Sequence, residues 1–71
     1  MTQAYFKIDA KRLAEARARR AYSVNELARL CAVTSERMYQ IQRGGQQVRP
    51  GTLRRIAGAL GIEPGELVAD G

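Results

Sequence analysis

Apolar residues recur at helical spacing in successive short segments of this chain. Between residues 10 and 20, Leu13 and Ala16 share one face with Arg17 or Arg20, a thin apolar stripe. Val24, Leu27, Ala28 and Cys31 form the inner face of the next segment, with Leu30 at its edge. Met38 and Ile41 lie three apart in a third, and Leu53, Ile56, Ala57 and Leu60 recur at three and four in a fourth. The punctuation agrees with this spacing. Asp9 is a good N-cap for a first helix running to about Arg20, and Ser23 with Glu26 makes an S-x-x-E capping box for a second. Thr34 caps a third helix that Gly44-Gly45 ends, and Gly61 stops a fourth running from Thr52 to Leu60. Glu63-Pro64 reads as a cap followed by proline at the first helical position, which predicts a short fifth helix through Leu67 and Val68. Residues 1–7 carry no helix punctuation. With Tyr5, Phe6 and the β-branched Ile8 they make either a short extended arm, packed on the domain's own surface or on a second copy, or a frayed terminus.

Seventy-one residues make one small domain, able to bury about 60% of the surface its unfolded chain exposes. The expectation is an all-α, compact five-helix domain spanning 1–71, with a short N-terminal extended arm as an added element. No repeat, linker or low-complexity segment suggests a second domain. No apolar run approaches the roughly 20 residues that cross a bilayer, and the basic N-terminal stretch lacks an apolar block of signal-peptide type, so a cytoplasmic location is expected.

Charge is uneven along the chain. Residues 1–55 hold all 12 Lys and Arg against Asp9, Glu15, Glu26 and Glu36, a balance of +8, whereas Glu63, Glu66 and Asp70 leave residues 56–71 at −3. Such a basic half suits a polyanion, since each neutralised phosphate releases condensed counterions; it equally suits a solvated surface that keeps the protein dispersed. Cys31 is the only cysteine and there is no histidine, which excludes an internal disulfide and any Cys-based metal site. A small buried residue at a helix end is the reading of Cys31. Without histidine, and with carboxylates at no telling spacing, a nucleophile and its base cannot be assembled, and neither an enzyme nor a bound cofactor is expected.

On the third helix the inward pair Met38 and Ile41 leaves Ser35, Glu36, Tyr39, Gln40 and Arg43 on one exposed stripe. The run Glu26-Leu27-Ala28, then Val33-Thr34, Ile41 and Arg43-Gly44, resembles the helix-turn-helix of the phage repressor and Cro family, the lambda repressor-like fold. The resemblance covers roughly residues 8–68 and implies a two-helix unit at about 23–43, with the second helix in the DNA major groove. Four positions depart from the family pattern. Gln42 stands where a Glu would pair with Arg17, so Arg17 must find another partner or turn toward phosphate; Val24 replaces a common Gln; Ala32 and Ala21 replace glycines at turns that require a left-handed backbone.

The stripe carries base-reading chemistry. Gln40 suits adenine through two hydrogen bonds, Glu36 accepts from cytosine N4, Arg37 takes guanine or a phosphate, and Ser35 is permissive; Tyr39 reaches a thymine methyl or a phosphate, or packs on the neighbouring loop. Asn25 at the second helix's start, Thr34, Arg43, Arg54 and the loop residues Gln46, Gln47 and Arg49 are the expected phosphate contacts. Together these point to a sequence-specific double-stranded DNA-binding transcriptional regulator, most simply a repressor that occludes promoter DNA. A second reading is an antitoxin-like or accessory module that uses the same fold to hold a partner protein, and a third is nonspecific RNA binding through the Arg-rich first helix. One recognition helix buries little surface, so a homodimer on DNA is expected, joined through Val48, Leu67 and Val68, as the resemblance implies, or through Tyr5 and Phe6.

Overall fold

The computed structural model describes residues 5–44 and 47–69. The described chain runs β1 (Phe6–Lys7), α1 (Ala10–Arg19), α2 (Val24–Leu30), α3 (Ser35–Arg43), β2 (Gln47–Val48), α4 (Pro50–Leu60) and a single 3-10 turn (Pro64–Leu67). The first three helices start where the sequence places them. Asp9 accepts from the Lys11 and Arg12 amides at 2.9 and 3.1 Å, the Ser23–Glu26 capping box closes from both sides, and Thr34 accepts from the Arg37 amide at 3.0 Å. Ile8, Leu13, Leu27, Met38, Ile41, Ile56 and Leu67 are fully buried at the centre where these elements meet. Removing this much apolar surface from water is the main favourable term in folding so short a chain.

Three helices stop by one device. After α1, Ala21 (φ 58) turns left-handed while its amide and that of Tyr22 bond back to the Ala18 and Arg17 carbonyls. After α2, Ala32 (φ 57) does the same, with its amide on Arg29 and that of Val33 on Ala28. Gly61 (φ 70) repeats it after α4, with Ile62 on Ala57. In each case the next residue, Tyr22, Val33 or Ile62, packs against the core, the hydrophobic contact that accompanies this C-terminal motif. Only the third instance uses glycine, and there a Cβ would also run into the Arg20 guanidinium.

Four expectations need correction. The domain is mostly helical but not strictly all-α: β1 pairs antiparallel with β2, Phe6 opposite Val48 and Lys7 opposite Gln47, while Ile8 bridges to Val68. Residues 6–8 are therefore extended and lie on their own domain, between two partners 40 and 60 residues away in sequence, a pairing no local pattern announces, while residues 1–4 of the expected arm lie outside the described residues. The expected fifth helix is one 3-10 turn, because the four residues of Pro64–Leu67 are too few for α-helical bonding to propagate and Val68 is extended to meet Ile8. The fourth helix begins two residues early, with Pro50 in its first turn and Arg49 extended before it, so Pro50 and Gly51 belong to the helix and not to the loop. Finally, Val48 and Leu67 sit in the core at 1% and 0% exposure and have no surface to offer a second subunit.

Because Ala21 and Ala32 hold a conformation that costs a residue with a Cβ about 1 kcal/mol, Ala21→Gly and Ala32→Gly should each stabilise the domain. A rise in Tm of roughly 4–8 °C per substitution is expected in thermal melts, and a fall in both would contradict the strain assigned to these turns.

Candidate nucleic-acid interface

Position on α3 decides what each of its side chains can touch. Met38 and Ile41 are fully buried, whereas Ser35, Glu36, Tyr39, Gln40 and Arg43 are all exposed, Tyr39 at 49%. Glu36, Gln40 and Arg43 lie within about 60° of one another around the axis, a continuous row of an acceptor, an amide and a cation. No described residue covers this row.

Two contacts fix the angle of α3 on the domain. At its C-terminal end the Gln42 amide works in both directions: Oε1 accepts from Arg17 Nε at 3.3 Å and Nε2 donates to the Ala10 carbonyl at 3.2 Å. Arg17 also donates to the Tyr22 carbonyl at 2.8 Å. A carboxylate at position 42 would balance the Arg17 charge but would face the Ala10 carbonyl with no proton to give; the amide satisfies both neighbours. Nearer the other end, Arg37 lies about 60° round from Gln40 toward the buried side. It is half-buried and donates to the Gln47 carbonyl at 3.2 Å, joining α3 to β2. Arg37, expected among the base readers, is therefore tied to the flank of the stripe.

The expected phosphate contacts are spread over several elements. Asn25 is exposed at the start of α2, Thr34 is the exposed cap of α3, and Arg43 is exposed in its last turn. Gln47 and Arg49 are exposed in and just after β2, and Arg54 on the outer face of α4. Gln46 lies outside the described residues. Sequence reading missed Gln42 as a two-sided bridge, although its place one residue after the buried Ile41 was a usable signal. It also missed the pairing that sets Lys7 beside Gln47, for which the sequence holds no local sign.

Cys31 is fully buried; its thiol points at the Arg55 carbonyl at 3.8 Å, Arg55 donates back to the Cys31 carbonyl at 3.4 Å, and burial pushes the thiol above its ordinary pKa. Such a thiol is structural and unreactive. An open cleft of about 280 Å³ between α1 and the 3-10 turn is lined by Arg12, Glu15, Ala16, Arg19, Ile62 and Glu66, none of them on α3. Among the described residues no group of three His, Cys, Asp or Glu is placed to hold a metal ion, and no helix is long and apolar enough to cross a membrane.

A family model described as a helix-turn-helix domain matches residues 10–70. Among solved structures, the restriction-modification controller protein C.AhdI from Aeromonas hydrophila is 32% identical, with a TM-score of 0.74 over 80% of this chain and 86% of that one. A hypothetical transcription factor, NHTF from Neisseria, is 19% identical with a TM-score of 0.72, covering 94% and 86%, a likeness of fold alone. A mutant hydroxyethylphosphonate dioxygenase is 26% identical with a TM-score of 0.78 over 90% of this chain, but this chain spans only 14% of the length of that enzyme. No curated protein matches.

The Glu26 carboxyl is held below its ordinary pKa, chiefly by the Ser23 amide that donates to it, with the Ser23 hydroxyl and Arg29 acting in the same direction. A depressed carboxyl contributes stability above the ordinary carboxylate range and loses it as pH falls through the lowered value. Glu26→Gln should thus make the acid-side decline of Tm shallower than in the parent protein; parallel declines in a pH series of melts would count against this role for the capping box.

Proposed function

We propose that this chain, which belongs to the helix-turn-helix domain family, is a sequence-specific double-stranded DNA-binding transcriptional regulator, most simply a repressor that occludes promoter DNA. The observation that carries the reading is the open row on α3, set back to back with Met38 and Ile41, with the exposed Arg43 in the same helix and the exposed Arg49 just after β2, the strand that Arg37 ties to α3. A helix presented in this way enters a major groove about 12 Å wide with its polar row against the base edges. Gln40 is assigned to adenine through N6 and N7, Glu36 to cytosine N4, and Ser35 to either partner of its base pair, with Tyr39 at the edge of the row against a thymine methyl or a phosphate. Arg37 donates to phosphate or guanine with whatever of its five N–H groups remains beyond the Gln47 carbonyl. Asn25, Thr34, Arg43, Gln47, Arg49 and Arg54 grip the backbone and fix register without reading sequence.

The relatives support the regulatory part of the reading, since one is a restriction-modification controller and shares 32% of aligned residues over most of both chains. A single α3 buries too little surface for tight specific binding, so the chain is assigned to a homodimer on two half-sites about 34–36 Å apart. With Val48 and Leu67 buried, the candidate contacts that keep some surface are the exposed Tyr5 and the half-buried Phe6 and Val68.

Two substitutions separate reading from gripping. Gln40→Ala should relax selectivity at one base pair by about 1–3 kcal/mol, and Arg49→Ala should weaken all duplexes alike while lowering the salt slope by about 1. Competition binding against single-base variants of a selected site measures both; an unchanged preference at every base in Gln40→Ala would remove this residue from the reading row.

A further inference from the structure

We propose that the outward face of the β1–β2 ribbon is a second grip on DNA phosphate, with Lys7 as its leading cation, an inference that rests on the DNA-binding reading above. The register determines which residues face out. Val48 is in the core and its partner Phe6 packs against it, so the next pair, Lys7 and Gln47, points the other way. Both are exposed. The backbone stays extended through Arg49 (φ −72, ψ 156), which brings that exposed side chain back to the outward face two residues beyond Gln47. Directly opposed residues sit about 4.5–5.5 Å apart at Cβ and diagonal ones about 7–8 Å. Lys7, Gln47 and Arg49 therefore make one cluster of donors drawn from segments 40 residues apart.

This cluster keeps its positive charge. Asp9, the nearest acid in sequence, is occupied: it accepts from the Lys11 and Arg12 amides and lies 3.8 Å from the Arg12 guanidinium. The described residues show no ion pair to Lys7 or Arg49. The ribbon is tied to α3 directly at one point, and the start of α1, three residues beyond Lys7, is held against α3 as well. Arg37 ties α3 to the Gln47 carbonyl, and the C-terminal end of α3 rests on the start of α1, where Gln42 donates to the Ala10 carbonyl and a Cβ on Gly44 would lie 3.4 Å from that of Ala10. A helix seated in the major groove has a phosphate strand along each wall, and a cationic ribbon one arginine's length from the helix lies over one of them. Two flexible cations about an amide match a run of phosphodiesters, which ask for charge without sequence.

Lys7→Gln keeps the backbone pairing and removes one charge. The salt dependence of binding is to be measured on the duplex recovered by selection and on an unrelated duplex, alongside Arg43→Gln, a cation of α3 itself, and Arg19→Gln, whose side chain lines the cleft on the flank of α1 against the 3-10 turn. Lys7→Gln should lower the slope of log K against log salt by about 1 on both duplexes, leave the preference between them intact and leave Tm unchanged. Lys7→Gln with Arg49→Gln should lower it by about 2, and Arg19→Gln should leave it as it was. A slope that falls in Arg43→Gln but not in Lys7→Gln overturns the ribbon grip while the DNA-binding reading stands. A slope that falls equally in Arg19→Gln also overturns it, since the charge would then act from anywhere on the surface. Failure of the parent protein to bind either duplex would remove both readings together.

Discussion

At least five of the ten arginines donate to a main-chain carbonyl on another part of the fold, and the arrangement of the helices depends on these bonds. Arg12 reaches Val68, Arg17 reaches Tyr22, Arg20 reaches Leu60, Arg37 reaches Gln47 and Arg55 reaches Cys31. The acceptors are carbonyls at element ends and in extended segments: Cys31 at the C-cap of α2, Leu60 at the end of α4, Tyr22 in the turn after α1, Gln47 in β2 and Val68 opposite Ile8. Such groups must be satisfied somehow, and a guanidinium at a helix C-terminus also opposes the negative end of the helix dipole. A hydrogen bond from a charged donor contributes about 1.5–3 kcal/mol when sheltered, and less here, where most of these side chains are partly exposed. Spread over α1, α3, α4, β2 and the ends of α2 and the 3-10 turn, they still matter in a domain whose total stability is of order 5–15 kcal/mol.

The same preference explains why so basic a chain suits an anionic partner. Because its arginines are answered by carbonyls and not by carboxylates, their charge is held in place but not neutralised. One ion pair, Arg12 with Asp9, is present among the described residues. The +8 carried by residues 1–55 therefore remains as self-repulsion in the free protein and as attraction toward a polyanion. The cations divide by role. Arg12, Arg17, Arg20, Arg37 and Arg55 hold the frame, whereas Lys7, Arg43, Arg49 and Arg54 have no such bond among the described residues and face solvent. In the proposed complex it is this second group that is assigned to phosphate.

Much of this was legible from residue order because it is local. Caps such as Asp9, Ser23–Glu26 and Thr34 act within three residues, and the apolar spacing of α1 to α4 needs only one helix to be read. The strain at Ala21 and Ala32 was visible for the same reason, as residues with a Cβ where a helix must end left-handed. What the sequence hid is long-range. Phe6 opposite Val48, Ile8 opposite Val68 and the amide of Ala69 on the Lys7 carbonyl join the two ends of the chain through backbone groups that every residue carries. That pairing also converts the last stretch from an expected helix to a turn and a bridge, and it puts Val48 and Leu67 inside. For the site, the open row on α3 followed from period alone, while the place of Arg37 depended on a strand that the sequence did not show.

The central claim is that the row of Ser35, Glu36, Tyr39 and Gln40 reads base pairs. Selection of binding sites from a random duplex pool tests this most directly, because enrichment depends on differences between sequences and not on charge. Recovery of one short motif, repeated with twofold symmetry at about one helical turn, is expected. A pool that binds well but emerges with no enriched sequence would contradict it and leave a basic domain that holds DNA without reading it.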